Sequence, residues 1–439
     1  MKPIKAGLLG IGTVGAGTFQ VLQRNQEEIR RRAGRGIEVT MVAARNLERA
    51  RAVVGAGCEV VADPFAVVNH PEIDIVVELI GGYELARELV LQAIANGKHV
   101  VTANKALLAL HGNEIFAAAH AKGVMVAFEA AVAGGVPIIK ALREGLSANR
   151  IESVAGIING TTNFILSEMR DKGLDFATVL KQAQELGYAE ADPTFDIEGV
   201  DAAHKLTIMA AIAFGIPMQF GSAHIEGISQ LQAIDIRYAE QLGYRIKLLG
   251  ITRRTVVDGE EGIELRVHPT LIPSARLIAN VEGAMNAVLV QADAVGTSMY
   301  YGKGAGAEPT ASAVIADLID VTRSATVDPY SRVPHLAFHP TELADVPVRP
   351  MEEISTSYYL RVTVQDQLGV MADLTRILAD AGISIDAVLQ KEPGEKARTD
   401  IVIITHQTRE KFVDAAIGKI EQLPATEGKV VRIRLESLG

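Results

Sequence analysis

Cysteine is almost absent from this chain, in which Cys58 is the only one among 439 residues. A single cysteine can form neither an intrachain disulfide nor a metal site built from several cysteines. Such scarcity is typical of proteins in a reducing compartment, so we predict a cytoplasmic location.

Long basic and long apolar runs are also missing. The longest basic run is Arg30-Arg31-Arg32, and 53 acidic residues against 43 basic ones give a net charge of −10. This balance argues against nucleic acid or an anionic membrane as a partner. The N-terminus lacks the apolar stretch of a signal peptide, and no stretch predicts a membrane-spanning helix. The composition indicates a folded soluble protein, and its length suits two or three domains.

The N-terminal segment has the pattern of a nucleotide-binding fold. A short apolar strand at residues 4–10 runs into the turn Gly10-Ile11-Gly12-Thr13-Val14-Gly15, and residues 14–32 show helical periodicity. Further apolar runs, separated by helical stretches, lie at residues 37–44, 73–80, 99–102 and 124–128. Strands that alternate with helices predict an α/β fold with a doubly wound parallel sheet of Rossmann type, which we assign to residues 1–132.

The glycine turn predicts a dinucleotide site. In this motif Gly10 permits the tight turn, Gly12 lets the backbone approach a pyrophosphate, and Gly15 lets the helix pack on the strand. The N–H groups and the dipole at the helix N-terminus then favour the negative charge.

The residues after the second predicted strand bear on the choice of cofactor. They read Ala43-Ala44-Arg45-Asn46, which offers no carboxylate for a ribose 2′-hydroxyl, whereas Arg45 suits a 2′-phosphate. We therefore favour NADP and leave NAD open, because Arg45 can also be a solvated cation just past a strand.

Beyond residue 132 the regular alternation of short apolar runs with helical stretches ends. Residues 133–301 mix long helices with strands and are interpreted as a second, α+β domain, with a return to the first domain near residues 302–345. A proline-rich passage from Pro334 to Pro350 predicts a linker. Residues 352–439 follow the order β-α-β-β-α-β of a ferredoxin-like unit.

Lys105 is predicted at the carboxyl edge of the parallel sheet, where ligands of open α/β sheets bind. It can orient a substrate carboxylate or polarise a carbonyl; the alternative is a helix-start lysine whose stem packs while its ammonium reaches water. A second glycine-rich stretch, residues 302–310, is predicted to be a flexible loop that either approaches a cofactor or only connects two elements.

Carboxylates are concentrated between Gly187 and Lys205, where an acidic loop leads into an apolar helix. If Asp201 opens that helix, Lys205 lies one turn later on the same face and the two can pair. Burying the Lys205 ammonium is costly unless carboxylates lie nearby. The pattern predicts a site for a small zwitterion that undergoes proton transfer, with Lys205 as donor and His204 merely packed. The alternative is a solvated acidic turn followed by a core helix.

Six segments together resemble one enzyme family. They are GIGTVG at 10–15, VTANKALLA at 101–109, FEAAVAGGVPII at 128–139, NGTTNFIL at 159–166, GYAEADPTFDIEGVDAAHK at 187–205 and GKGAGAEPTASAV at 302–314. The chain resembles bacterial homoserine dehydrogenases that carry a C-terminal ACT domain. This resemblance implies reversible NAD(P)H-dependent reduction of L-aspartate 4-semialdehyde to L-homoserine, on the route to threonine, methionine and isoleucine.

The resemblance also assigns roles by position. Lys205 would be the proton donor, with Lys105 as its partner near the reacting group. Glu190 would bind the ammonium group of the substrate, and Asp201 and Asp196 would complete the substrate site. The residues that would line the nicotinamide cofactor are Thr13, Val14, Thr102, Lys105, Gly187 and Gly302.

Further expectations follow from the same resemblance. A sodium ion would be held through oxygens, largely of the main chain, at Glu129, Val132, Gly134 and Val136. Such oxygens suit a hard cation. The second domain would form a homodimer or homotetramer, and no kinase-like segment precedes residue 1, so a monofunctional enzyme is expected.

The C-terminal unit has a regulatory counterpart in the family. In ACT domains an Asp-x-x-Gly turn receives a regulatory amino acid, and the matching turn runs from Asp366 to Gly369. The alternative is that this domain only assists assembly.

Competing functions remain at this point. An unrelated oxidoreductase with the same cofactor fold, such as a sugar dehydrogenase, leaves Glu190 unexplained. A catalytically silent amino-acid sensor is disfavoured by the intact Lys105 and Lys205. A phosphorylating aldehyde dehydrogenase needs a cysteine in the second domain, whereas Cys58 lies in the first.

Overall fold

The computed structural model describes residues 2–390 and 398–438. Its strands are β1 (Ile4–Leu9), β2 (Ile37–Ala43), β3 (Glu59–Val61), β4 (Ile75–Glu78), β5 (His99–Thr102), β6 (Val126–Ala127), β7 (Ile151–Ile157), β8 (His224–Ile225), β9 (Tyr244–Val257), β10 (Glu260–Pro273), β11 (Met285–Ala292), β12 (Gly296–Lys303), β13 (Ser355–Gln365), β14 (Ile385–Gln390), β15 (Arg398–Thr405), β16 (Thr408–Arg409) and β17 (Val431–Leu435).

The α-helices follow the same chain order. They are α1 (Thr13–Arg24), α2 (Gln26–Ala33), α3 (Leu47–Val54), α4 (Pro64–Asn69), α5 (Glu84–Ala95), α6 (Lys105–Lys122), α7 (Ile138–Lys140), α8 (Gly160–Lys172), α9 (Phe176–Glu185), α10 (Thr194–Ile197), α11 (Val200–Phe214), α12 (Ala233–Gln241), α13 (Ala307–Ser324), α14 (Val370–Asp380) and α15 (Glu410–Ile420). Within the described ranges, each helix is too short or too polar to cross a bilayer.

Contacts group the chain into two compact units. The first comprises Met1–Gly160, Asp201–Gly221 and Ala284–Val346, and the second comprises Thr161–Val200, Ser222–Gly283 and Pro347–Gly439. Each unit therefore combines segments that are distant in sequence. The domain boundaries proposed from the sequence remain a prediction.

A six-stranded parallel sheet forms the centre of the first unit. Its order is β3-β2-β1-β4-β5-β6, which is the Rossmann order with its reversal between β1 and β4. The predicted Rossmann-type fold is confirmed. Strand β3 was missed because three partly exposed residues show no alternating pattern.

The turn after β1 depends on two glycines. Gly10 has a φ of 97°, and a Cβ on Gly15 would lie 2.3 Å from the carbonyl oxygen of Gly10. Side chains at these positions would strain or obstruct the turn. The single helix expected over residues 14–32 is instead α1 and α2, because the chain leaves helical geometry at Asn25, which has a ψ of 18°.

Helix α13 returns from far along the chain to cover this sheet. Its Val314 and Leu318 share one buried core with Leu8 of β1 and Val77 of β4. The expected loop over residues 302–310 is shorter than predicted, since the β11–β12 ladder extends through Lys303 and α13 begins at Ala307. Ladder hydrogen bonds therefore order the first part of that stretch.

The first part of the proline-rich passage is packed, and the linker prediction stays a prediction. Leu336 is 5% exposed, and His335 Nε2 accepts a hydrogen bond of 3.1 Å from the backbone N–H of Val126. Strand β6 lies at the edge of the sheet, where its N–H groups need a partner outside the ladder.

The second unit contains the predicted ferredoxin-like tail. Strands β17-β13-β15-β14 are neighbours in that order, all antiparallel, and α14 and α15 cover one face. The predicted ACT fold is confirmed. Strand β10 continues this sheet by parallel pairing with β17 at Thr270 and Leu271, a contact that was not predicted from the sequence.

Buried ion pairs accompany that junction. Arg434 of β17 has a side chain 1% exposed; it donates to Glu226 at 2.8 Å and to Glu410 at 2.7 Å. Burial alone would lower the pKa of this guanidinium, but the two carboxylates raise it. Such pairs fix one arrangement of the strands, because a mispaired charge in the interior is costly.

Candidate active site

Asp201 is the centre of a charged cluster in the first unit. It lies in the first turn of α11 and is 3% exposed. Its Oδ2 is 2.7 Å from Lys205 Nζ, and its Oδ1 is 3.2 Å from Lys105 Nζ. Asn159 Nδ2 donates to Oδ2 at 2.8 Å. The predicted pairing of Asp201 with Lys205 is confirmed, and Lys105 joins it from another element.

The Lys205 ammonium has a second acceptor. Its side chain is 12% exposed, and Nζ donates to the carbonyl oxygen of Ile158 at 2.7 Å. Two acceptors compensate the loss of hydration that the apolar helix imposes on this charge. Lys205 is therefore held in one orientation.

Charge determines the protonation of Asp201. Burial alone would raise its pKa, but the charges of Lys205 and Lys105, with hydrogen bonds from Lys205 and Asn159, hold that pKa well below its usual range. The cluster thus keeps one carboxylate between two ammonium groups at neutral pH. Its excess positive charge suits an oxygen that develops negative charge.

Lys105 is positioned by the end of the parallel sheet. Strand β5 ends at Thr102, and α6 begins at Lys105 after Asn104, whose side-chain oxygen caps the helix by accepting from Leu107 N at 3.1 Å. The predicted place of Lys105 at the carboxyl edge is confirmed.

His204 is a packed residue, as predicted. It is 4% exposed, and its ring centroid is 4.4 Å from that of Phe220. Burial, supported by the charges of Lys105 and Lys205 and opposed by Asp201, lowers its pKa to about 4. His204 is therefore neutral at physiological pH.

The predicted cofactor residues of the first unit lie along one edge of the sheet. Gly12 and Thr13 are exposed, and Val14 is half-buried. Gly12 is the N-cap of α1. Arg45 is exposed just beyond β2, and Thr102 is buried at the end of β5. This is the edge at which Rossmann sheets bind nucleotides.

Gly302 lies on β12. A Cβ there would be 3.1 Å from Val136 Cγ2.

The predicted substrate residues Glu190 and Asp196 belong to the second unit. Glu190 is exposed, and Asp196 lies in α10. Thr161 Oγ1 donates to the carbonyl oxygen of Tyr188 at 2.7 Å and lies 3.4 Å from Asp196 Oδ2, which ties this loop to α8. Gly187, with a φ of 75°, follows α9.

The segment matched to a sodium site is buried, but one side chain is already engaged. The Glu129 carboxylate accepts hydrogen bonds from Ile139 N at 2.9 Å and Lys140 N at 2.8 Å. Burial foremost, then the charge of Asp317, raises its pKa to about 7. Across the described residues, no group of three or more His, Cys, Asp or Glu side chains could hold a metal. Main-chain oxygens suit a hard cation, and of the predicted ones that of Val136 already accepts a hydrogen bond of 2.8 Å from Ile138 N.

The candidate effector turn precedes α14. Asp366 is exposed, and Gly369 caps the helix with a φ of 93°. The turn from Asp366 to Gly369 is therefore exposed and leads directly into α14.

Sequence analysis did not identify two residues of the site region. Asn159 contacts Asp201, and Glu78 at the end of β4 is 0% exposed and accepts from Thr102 Oγ1 at 2.6 Å. The available signal for Glu78 was a single carboxylate in the otherwise apolar residues 75–80. Asn159 belongs to the NGTTNFIL segment but had no local partner to reveal its role.

Comparison with known proteins places these features in a family. The family described as "Homoserine dehydrogenase" matches residues 137–319, its NAD-binding domain matches 10–129, and the ACT domain matches 358–425. Homoserine dehydrogenase of Pseudomonas aeruginosa is 62% identical over 439 residues, which cover 100% of both chains.

Solved structures agree with this assignment. A homoserine dehydrogenase from Thiobacillus denitrificans is 70% identical with a TM-score of 0.95, covering 100% of this chain and 99% of the other. A hyperthermophilic archaeal homoserine dehydrogenase mutant in complex with NADPH is 25% identical with a TM-score of 0.62, covering 73% of this chain and 98% of the other. The chain belongs to the homoserine dehydrogenase family of NAD(P)-dependent oxidoreductases.

Proposed function

We propose that Lys205 donates the proton in the reversible reduction of L-aspartate 4-semialdehyde to L-homoserine by this enzyme. The observation that carries this role is the buried Lys205 ammonium, held 2.7 Å from both Asp201 and the Ile158 carbonyl. An ammonium has three protons, and these two acceptors take two of them, so the third is directed to the aldehyde oxygen.

The charges of the cluster support this chemistry. The bound nicotinamide supplies the hydride that reduces the aldehyde carbon. Lys205 protonates the resulting oxygen, Lys105 stabilises its developing negative charge, and Asp201 orients both lysines. In the reverse direction, Lys205 takes the proton back from the hydroxyl.

Glu190 is proposed to bind the ammonium group of the substrate, and Asp196 is proposed as a further residue of the substrate site. Both carry carboxylates on the loop that Thr161 anchors. Asp201 completes the substrate site in this proposal. Carboxylates at these positions match the positive charge of an amino acid.

NADP is proposed as the preferred cofactor, with NAD also accepted. Thr13, Val14, Thr102, Gly187 and Gly302 complete the proposed cofactor site. Support comes from the exposed Arg45 after β2 and from the NADPH complex of the archaeal relative. Arg45 would pair with the 2′-phosphate that NAD lacks.

Arg45→Ala tests this preference. We expect the KM for NADP to rise about 10-fold, with little change for NAD, because a charged hydrogen bond to phosphate contributes on the order of 1.5 kcal/mol or more. Absorbance at 340 nm with homoserine and either cofactor measures both constants. Arg31→Ala, on the exposed face of α2, is the matched control, and equal losses for NAD and NADP would contradict the assignment.

Sodium is proposed at the main-chain oxygens of Glu129, Val132, Gly134 and Val136. The Glu129 carboxylate is excluded from the ligand set because α7 already uses it. Thermal unfolding in sodium chloride and in choline chloride at equal ionic strength tests the proposal. A higher Tm in sodium is expected, and equal values would argue against the site.

Regulation is proposed at the turn from Asp366 to Gly369, which would bind an amino-acid effector. The 340 nm assay with and without threonine, on wild type and Asp366→Ala, tests it. Inhibition lost in the variant is expected, whereas equal inhibition of both would place the effector elsewhere. A homodimer or homotetramer and a cytoplasmic location complete the proposal.

A further inference from the structure

Glu78 is a buried carboxylate, and among the described residues no cation contributes to its pKa. It ends β4 beside Thr102 of β5 and is 0% exposed. Its Oε1 accepts from Ile80 N at 2.9 Å, and its Oε2 accepts from Thr102 Oγ1 at 2.6 Å. Among the residues that the structure describes, the groups that oppose its desolvation are uncharged: Thr102, Ile80 and Asn104.

Thr102 bridges Glu78 and the turn that follows β5. Its Oγ1 accepts a bond of 3.0 Å from Asn104 N and donates its own proton to Glu78 Oε2. Asn104 then accepts from Leu107 N and donates to the Gly82 carbonyl at 2.7 Å. A continuous set of bonds therefore runs from Glu78 to the start of α6.

Lys105 is the first residue of that helix. Its ammonium lies 3.2 Å from Asp201 Oδ1 with a side chain 34% exposed, so packing alone restrains it less than Lys205. The turn at Thr102 and Asn104 sets the position from which the Lys105 stem starts.

An ionised carboxylate at position 78 lowers the stability of the fold. Burial dominates and raises the pKa of Glu78 to about 7, although hydrogen bonds from Thr102, Ile80 and Asn104 oppose the shift. Because the folded pKa is above the unfolded one, this group stabilises the fold at low pH, and that stabilisation is lost as the pH rises through about 7. A glutamine would avoid the cost at high pH, so stability does not explain an acid at this position.

We propose that Glu78, in its ionised form, is a positioning residue that orients the turn at Thr102 and Asn104 and thereby directs Lys105 toward Asp201. This inference rests on the role proposed for Lys105. The ionised carboxylate accepts from Ile80 and Thr102 with one oxygen each, whereas a protonated one would carry a donor on one of these oxygens.

Glu78→Gln tests the inference because it keeps the shape and removes the second acceptor. The amide would donate to Thr102, whose proton then has no acceptor, and the turn would shift. We expect kcat to fall about 10- to 100-fold, as small misplacements of a catalytic group do. The cofactor dissociation constant should stay within about threefold, and the Tm near pH 8 should equal or exceed that of wild type.

The pH profile separates positioning from support of the fold. As the pH falls through about 7, wild type loses the ionised Glu78, so the ratio of its kcat to that of the variant should fall toward one. Glu114→Gln, on the exposed side of α6 where Glu114 pairs with Arg87, is the matched control and should retain wild-type kcat and profile.

Three results of these measurements would contradict the positioning role of Glu78. An unchanged kcat in Glu78→Gln, a constant ratio across pH, or a lower Tm or unfolded variant near pH 8 would overturn the inference. Lys105→Ala distinguishes the proposed function: near-normal kcat there rejects the role of Lys105 itself. A large loss in Lys105→Ala with none in Glu78→Gln rejects only the positioning role.

Discussion

Replacing Lys205 by alanine is expected to lower kcat by about 10²–10⁴-fold while cofactor affinity stays nearly unchanged. The reason is that Lys205 is proposed to supply the proton to the substrate oxygen, whereas the glycine turn after β1 is proposed to bind the nucleotide. Steady-state assays at 340 nm measure kcat, and NADPH fluorescence measures cofactor binding. Lys205→Met fills most of the space of the stem and should lose as much activity, which excludes a cavity as the cause.

The matched control is Lys181→Ala, an exposed lysine of α9. It should keep wild-type kcat. Near-normal turnover in both Lys205 variants would reject the proton-transfer role.

Asp201→Asn is expected to have the second largest effect. The substitution leaves the Lys105 and Lys205 ammonium groups without their shared carboxylate, so they repel each other and lose orientation. We expect a fall in kcat of about 100-fold or more and a loss of about 3 kcal/mol in the free energy of unfolding at neutral pH, as when one partner of a buried ion pair is removed.

The pH dependence of that loss has a defined sign. Because the folded pKa of Asp201 is below its unfolded value of 3.8, its stabilisation is present above about pH 4 and disappears as the pH falls through the folded pKa. Urea titrations at neutral and acidic pH should therefore show a larger difference between variant and wild type at neutral pH. Asp258→Asn, at an exposed turn, is the control; an equal loss at both pH values would show that shape, not charge, matters at Asp201.

Much of the fold was predictable because its signals are local. The strand, glycine turn and helix at residues 4–24 specify one another through backbone geometry, and the β-α-β-β-α-β order of the tail specifies its own sheet. The break at Asn25 and the packed passage around His335 were not predictable. The first depends on where the chain leaves helical geometry, and the second on a partner for a backbone N–H group of the edge strand β6. Composition reveals neither.

The sequence by itself determined that Asp201 and Lys205 share one helix face, because a period of 3.6 residues places i and i+4 together. It also determined that Lys105 stands at the carboxyl edge, since parallel strands end there. Only the tertiary structure decided that Lys105, Asn159 and Ile158 converge on this pair and that Glu78 meets Thr102. Those contacts join residues far apart in the chain. They depend on strand order and register, which arise from packing of the whole sheet rather than from any local pattern.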